Sequence, residues 1–412
     1  MEKVKILIIT QHFYPENFRI NDIASEWVKR GYEVEAVTAI PNYPQGKFFK
    51  GYGFFKRRTE EWNGIRIHHI PIIPSGNNPL QLILNYYSFP FFGFFWNLFT
   101  RIKADYVFMF ETSPMHQCKI GVRYAKKHKV PLYLYAQDLW PESFEMITEI
   151  HSPLFIVPLN HMVDNIYRAC DRIFVTSESA RQAVINRKVP VPQDKVVFLP
   201  QYAEEIYKPV NRQYVRDNHL ADEIPDDDSF KIIFTGNIGY AQGLELLLEA
   251  AESLRNEKLK FVIVGDGRYR EKLQNEVKNQ HHSEMFIFTG RRPPESIPAL
   301  LSVCDMAYIS YKDNTLFDMM IPAKLQSYMA CAMPILAVAA GETARIIKTA
   351  DCGYCSDTGC AEGLILNIKR AMELKRDNPD ELLRMSHKSG EYSRKEFGKN
   401  RIMDKLCGFI EF

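Results

Sequence analysis

Residues 321–342, IPAKLQSYMACAMPILAVAAGE, constrain the fold more than any other stretch, because a loop, a helix, a buried strand and a second loop follow one another within it. Pro322 suits the first turn of a helix, where a missing N–H costs nothing, and Lys324 then falls at a helix start whose free amides favour an anion. Leu325, Tyr328 and Met329 recur at three- and four-residue spacing and give that helix one apolar face. Pro334 ends it, and residues 335–340 form an apolar run suited to a parallel strand covered on both faces. Gly341 and Glu342 follow at the carboxyl end of that strand, where open α/β sheets take their ligands. Taken alone, the stretch fits an αβ unit of any doubly wound domain.

A chain of 412 residues is too long for one ordinary core and suits two domains. Its net charge of +2 lacks the basic excess expected of a protein whose main partner is nucleic acid. The eight cysteines form no disulfide framework. Cys352, Cys355 and Cys360 include one CxxC, but no second pair completes a zinc site, so buried thiols in a reducing cytoplasm are expected. The chain opens on a core strand, residues 4–10, with no cleavage-like small-residue site, which argues against export by a signal peptide.

Strands at residues 4–10 and 33–38 enclose a helix at 21–30, capped by Asn21 and closed by Gly31, in a βαβ opening. The loop between them, QHFYPENFRIND, is not a dinucleotide-binding GxGxxG. Its Arg19 either meets a phosphate bidentately or is a plain surface arginine. Residues 40–62 are rich in Pro, Gly and Asn, which predicts no regular element there. Within them Lys47, Lys50, Lys56, Arg57 and Arg58 alternate with aromatic residues, a mixture suited to anionic lipid headgroups or to a solvated loop. Residues 80–99 are the most apolar run, yet Gln81, Asn85, Pro90, Gly93 and Asn97 interrupt it. A helix packed under the first domain or lying at a membrane interface is expected rather than a span. Strands at 106–110 and 131–136, separated by a helix at 117–128, end in ETSP and QDLWPES loops that could face a ligand, and strands at 171–177 and 195–200 close the domain.

Residues 201–229 read as a boundary, and Asp226, Asp227 and Asp228 as a solvated linker rather than a DxD metal site, because they precede a strand instead of following one. A strand at 231–235 then leads into GNIGYAQG, where Gly236, Gly239 and Gly243 let the backbone approach a pyrophosphate at the start of a helix, 244–257. A second strand, 260–264, runs into Gly265, Asp266 and Gly267. Alternation continues through 286–290, 297–303 and 306–310 to helices at 361–376 and 379–397.

The register of Pro322, Lys324, Tyr328, Met329, Ala330 and Pro334 resembles the P-x-K-x-x-E-Y-M-A-x-G-x-P donor-sugar site of GT-B glycosyltransferases of family four, and the V-G-D-G at 264–267 and DLWPES at 138–143 add to the resemblance. The chain departs from that pattern at Ser327, where the family has a ribose-gripping Glu, and at Ala332, where Gly is usual. It departs again at Asn237 and Gln242, usually Arg and Lys, and at Gln137, often His. The resemblance implies an α/β protein of two Rossmann-like domains facing across a cleft: 1–205 for the acceptor, 206–385 for the nucleotide sugar, and a last helix, 386–412, crossing back to the first. It implies a retaining, metal-independent transfer of a sugar, N-acetyl-L-fucosamine among the candidates, from a UDP-sugar donor. The acceptor would be a lipid-linked oligosaccharide of bacterial O-antigen, capsule or colanic acid at the inner face of the membrane, with no cofactor and with peripheral attachment to an anionic membrane surface.

On this reading Lys324 and Arg291, with Arg19 as a third cation, stabilise the departing diphosphate, and Asp138 orients hydroxyls. Gly236, Asn237, Gly239, Gln242, Gly243, Gly265, Asp266, Gly267, Ser327 and Tyr328 line the donor site, and Glu342 replaces Ser327 as the carboxylate for the ribose. Two rivals stay open: a sugar-nucleotide 2-epimerase of the same fold, and a binding scaffold without catalysis, which the changed Asn237, Gln242 and Ser327 favour.

Overall fold

The structure is a computed structural model that describes residues 3–76 and 79–410. The chain divides into two compact units, Met1–Leu199 with Leu406–Phe412, and Pro200–Lys405. The division falls at Leu199 and Pro200 rather than 205 and 206, and the long helix Pro379–Glu396 belongs to the second unit, so that only the last few residues return to the first. There the Tyr133 hydroxyl donates to the Phe409 carbonyl at 2.7 Å, and the Phe409 ring meets Phe174 at 5.3 Å.

The first unit is built on eight strands: β1 (Lys5–Ile9), β2 (Glu33–Ala39), β3 (Thr59–Trp62), β4 (Ile65–Ile70), β5 (Tyr106–Glu111), β6 (Leu132–Ala136), β7 (Arg172–Val175) and β8 (Val196–Phe198), in the order β3-β4-β2-β1-β5-β6-β7-β8. Every neighbouring pair is parallel except β3 and β4. Ile6, Leu7, Ile8 and Ile9 are all fully buried, because helices cover both faces of the sheet and a strand at its centre has no polar side to present. The hairpin β3–β4 corrects the expectation of no regular element through residue 62. Asn63 and Gly64 both take left-handed φ angles, 50° and 76°, the backbone that a two-residue hairpin turn requires.

The first helix runs from Arg19 to Lys29 and starts two residues before the expected cap. Asn21 does not cap it; its amide donates to the Glu16 carbonyl at 2.7 Å and so fastens the preceding loop. The apolar run forms the helix Pro79–Phe99. Of the polar residues that interrupt it, Gln81 is exposed but the two asparagines turn inward: Asn85 donates to the Ile73 carbonyl and accepts from Gln11, and Asn97 donates to the Ile120 carbonyl. Its apolar residues Leu84, Tyr87, Phe91, Phe95 and Leu98 are exposed, at helical spacing. No helix among the described residues is long and apolar enough to cross a membrane.

The second unit carries six parallel strands: β9 (Phe230–Asn237), β10 (Leu259–Asp266), β11 (Phe286–Gly290), β12 (Met306–Ser310), β13 (Ile335–Val338) and β14 (Gly353–Ser356), ordered β11-β10-β9-β12-β13-β14. Apolar layers fill both faces of this sheet. Strand order reverses between β9 and β12. In an open parallel sheet the carboxyl-end loops diverge at that point and leave a crevice.

Candidate active site

Two glycine loops and one helix start converge on this reversal. Gly265 lies beside Gly236 and Asp266 beside Asn237 in the pairing of β10 with β9, so the loops that leave both strands run side by side. A Cβ on Gly265 would sit 1.8 Å from the Gly236 carbonyl oxygen, which leaves no other residue possible there. Gly236 has φ +128°, and a Cβ on it would face the Lys324 stem at 3.6 Å, so its backbone stays open toward that lysine. Gly239, Gln242 and Gly243 complete the loop, with Gly243 in the left-handed region at φ 59°. Asp266 accepts from the Gly267 amide at 2.8 Å and lies 3.6 Å from Arg270.

Lys324 is on the first turn of the helix Ala323–Ala330, which has no side-chain cap and no acidic residue in its first turn. Its ammonium donates to the Gln242 side-chain oxygen and stands over the Phe234 ring at 4.2 Å and the Tyr311 ring at 5.5 Å. Burial pushes its pKa down to about 7, and no carboxylate among the described residues is paired with it. A cation held on two rings beside free helix amides and open glycine backbone is a receptor for an anion. The residues that shape it without being legible in the sequence are Phe234, Tyr311 and Ser310, whose hydroxyl donates to the Gln242 carbonyl.

The other expected residues are placed differently. Tyr328 is fully buried, and its oxygen accepts from the Thr235 amide at 2.8 Å, so it fastens the helix to β9 beneath the loop. Ser327 is partly buried one turn after Lys324. Glu342, expected to open toward the ligand, is only 1 % exposed and accepts from the guanidinium of Arg345 on its own helix. Arg291 is exposed just past β11, two strands from β9. Arg19 and Asp138 belong to the first unit. Asp138 accepts from both the amide and the hydroxyl of Ser113 at 2.8 Å and ties the loop after β6 to the loop after β5.

The acidic run, residues 226–228, is exposed, and one of its carboxylates holds a buried lysine. Asp227 accepts from the buried Lys231 ammonium at 2.7 Å, and no group of three metal-binding side chains occurs among the described residues. All eight cysteines are free thiols.

This architecture of two α/β units built on parallel sheets is shared with known enzymes. Residues 17–201 match the glycosyl transferase 4-like domain and residues 215–396 match the glycosyl transferases group 1 model, and the chain belongs to these glycosyltransferases. Among its relatives is WcaI of Escherichia coli, named a colanic acid biosynthesis glycosyl transferase, 26 % identical over 401 residues that cover 91 % of this chain and 94 % of WcaI. WbjE of Pseudomonas aeruginosa, named a glycosyltransferase, is 29 % identical over 201 residues, 48 % of each chain. Solved structures of the same fold include WaaG, a glycosyltransferase involved in lipopolysaccharide biosynthesis, with TM-score 0.65 at 14 % identity over 99 % of both chains. HepE of Anabaena in complex with UDP has TM-score 0.68 at 15 % identity over 99 % of both.

Proposed function

We propose that this glycosyltransferase moves a sugar from a UDP-sugar to a lipid-linked oligosaccharide in bacterial surface-polysaccharide biosynthesis, with retention at the anomeric carbon and without a metal ion. The observation that carries the donor assignment is Lys324, a cation with no carboxylate partner among the described residues, held beside the glycine loop that leaves β9. A leaving diphosphate gains charge as its bond to the sugar breaks, and a preorganised cation acts on that gain rather than on the ground state. HepE, of the same fold, is seen with UDP, and the names of WcaI and WaaG attach those proteins to surface polysaccharides, which supports both halves of the reading.

A lipid-linked acceptor is met at a membrane surface, and the first unit offers a face suited to one. The helix Pro79–Phe99 carries no charged residue and exposes Phe91 at 58 % and Phe99 at 79 %, while Phe55 on the neighbouring basic loop is 99 % exposed. Phe54 of that loop lies 6.4 Å from Phe92 of the helix, so aromatic residues and the exposed Lys47, Lys50 and Lys56 belong to one region. Attachment to an anionic inner leaflet through this region is part of the proposal. Incubation of the purified protein with a panel of UDP-sugars tests the central claim. Slow UDP release identifies a transferase that hydrolyses its donor, whereas sugar interconversion without release identifies an epimerase, and neither event a scaffold.

A further inference from the structure

Tyr240, in the loop after β9, stands between two hollows of the second unit that the donor reading leaves unused. One, of about 670 Å³, lies between the helices Leu246–Ser253 and Arg270–Asn279, and the other, of about 470 Å³, runs along the second of these helices. Tyr240, Lys272 and Glu276 line both, so the two join into one trough, a shape for a chain of linked units rather than for one small molecule. Tyr240 is 50 % exposed, and its ring lies 5.0 Å from that of the buried Tyr269, whose hydroxyl donates to Glu276 at 2.8 Å. Tyr269 thereby fixes a floor on which Tyr240 offers an open aromatic face.

The charges of the walls select against ionic ligands. Lys272 already holds its ammonium over Tyr240 at 6.0 Å and over Tyr269 at 5.9 Å, so a ligand cation meets a like charge where the rings would attract it. Glu245, Glu249, Glu252 and Glu276 line the larger hollow and turn an anion away. Three of these carboxylates are paired, with Lys312 at 2.9 Å, Arg255 at 2.9 Å and Lys272 at 3.7 Å, which leaves little net field for a cation. Leu248 is the only aliphatic residue in either wall among the described residues, so the apolar anchors of a peptide find no pocket. What remains is a neutral ligand rich in hydroxyls. Each hydroxyl donates and accepts, and so matches carboxylates, ammonium groups and the carboxamides of Asn275 and Asn279, one turn apart on one helix face. A sugar ring has an apolar C–H face and a polar rim, the counterpart of a half-exposed tyrosine. We infer that the trough binds a neutral oligosaccharide, at a saccharide site of the second unit additional to the donor site. The ligand class follows from the walls and does not depend on the donor being a UDP-sugar. Tyr240 opens the short helix Tyr240–Gln242, and the Gln242 side chain accepts from Lys324, so a sugar on Tyr240 rests on the loop that holds the donor's cation.

Ligand-observed NMR of the full chain with maltohexaose, cellohexaose and chitohexaose tests the site, with hexalysine, hexaglutamate and a neutral glycine–serine hexapeptide as controls. Binding of at least one saccharide is expected, weakened about tenfold or more in Tyr240→Ala. Tyr240→Phe, which preserves the ring, should keep it within about twofold. Asn275→Ala with Asn279→Ala changes two exposed residues outside the donor loop. This double variant should weaken the same binding at unchanged UDP affinity, and it decides the matter should Tyr240→Ala fold poorly. Three results overturn the inference: no binding of any saccharide, saccharide binding that survives in both Tyr240→Ala and the double variant, or a control peptide that binds more tightly and depends on Tyr240. UDP release from a UDP-sugar panel is read separately on the same samples. Release without saccharide binding removes this site and leaves the transferase reading standing, whereas Tyr240-dependent saccharide binding without release from any donor keeps the site and refutes the transferase reading.

Discussion

The ammonium of Lys324 stands 4.2 Å from the centre of the Phe234 ring, a cation resting on the strand that ends in the glycine loop. Burial holds its pKa near 7, far below that of an ordinary lysine, so its charge depends on what binds beside it. A diphosphate there favours the charged form and raises the pKa. At about pH 8 the free protein holds Lys324 mostly neutral, and UDP binding should therefore take up a proton, whereas at about pH 6 the lysine is charged before and after and the uptake vanishes. Calorimetry in buffers of different ionisation enthalpy measures the uptake directly. Lys324→Ala should abolish it and slow UDP release by ~100-fold, the scale for loss of one preorganised group at a developing charge; equal proton uptake by the variant would show that another group titrates.

Glu342 and Arg345 form a pair on one helix whose carboxylate is buried, so Glu342→Gln should lower stability by about 1–3 kcal/mol, the cost of weakening a charge-assisted hydrogen bond to a buried carboxylate. Urea unfolding measures that loss. UDP titration of the same variant separates the two roles: a matching loss of UDP affinity assigns the carboxylate to the ribose as well, and unchanged affinity leaves it to the fold.

Ala332 follows the helix Ala323–Ala330 with φ 55°, in the left-handed region where family four usually has glycine. Its amide donates to the Met329 carbonyl and the Met333 amide to Tyr328, the closing pattern that favours glycine at this position. Ala332→Gly should therefore raise stability by about 1 kcal/mol, read as a higher urea midpoint at unchanged slope. A lower midpoint would mean that the methyl group, which faces the backbone of Gly390, contributes more by packing than it costs in conformation.

His116 is buried against Tyr87 and Trp140, and burial pushes its pKa down to about 4. A histidine whose folded pKa lies below its unfolded value of about 6.5 adds stability that is fully present above 6.5 and is lost as pH falls toward 4, because the unfolded chain takes up the proton first. His116→Gln should flatten this dependence by up to about 3 kcal/mol, seen as a smaller drop in urea stability between neutral pH and pH ~4.5.

Vesicle co-sedimentation tests the exposed helix. Binding to anionic vesicles should weaken with added salt, since each basic side chain near such a surface contributes about 1 kcal/mol before screening. Phe91→Asp with Phe95→Asp should abolish binding while leaving UDP release intact, because both residues are exposed and touch one another at 5.3 Å rather than the core. Equal partition onto neutral and anionic vesicles removes the electrostatic part of the proposal.

Local physics made much of this protein legible before any coordinates. The run 335–340 is β13 in its buried part, Ile335–Val338, because a strand covered on both faces must be apolar throughout. Lys324 and the glycines after β9 and β10 were readable for a similar reason: free helix amides and open backbone leave a signature within a few residues. The hairpin β3–β4 was legible too, in Asn63-Gly64, but the prolines and glycines before it hid the signal. Tertiary structure alone decided which side chains faced which. The sequence puts Tyr328 and Glu342 in a donor motif, yet packing against β9 and pairing with Arg345 bury both. The inward turn of Asn85 and Asn97, which leaves an apolar face outside, reverses what a hydropathy pattern implies for a core helix. His12 and Glu16 meet within a loop without periodicity, and the Asn42 and Tyr43 amides reach the second Glu16 carboxylate oxygen only because the chain that leaves β2 brings them there. Periodicity and backbone freedom are properties of neighbours in sequence; burial and pairing are set by residues that only the fold makes neighbours.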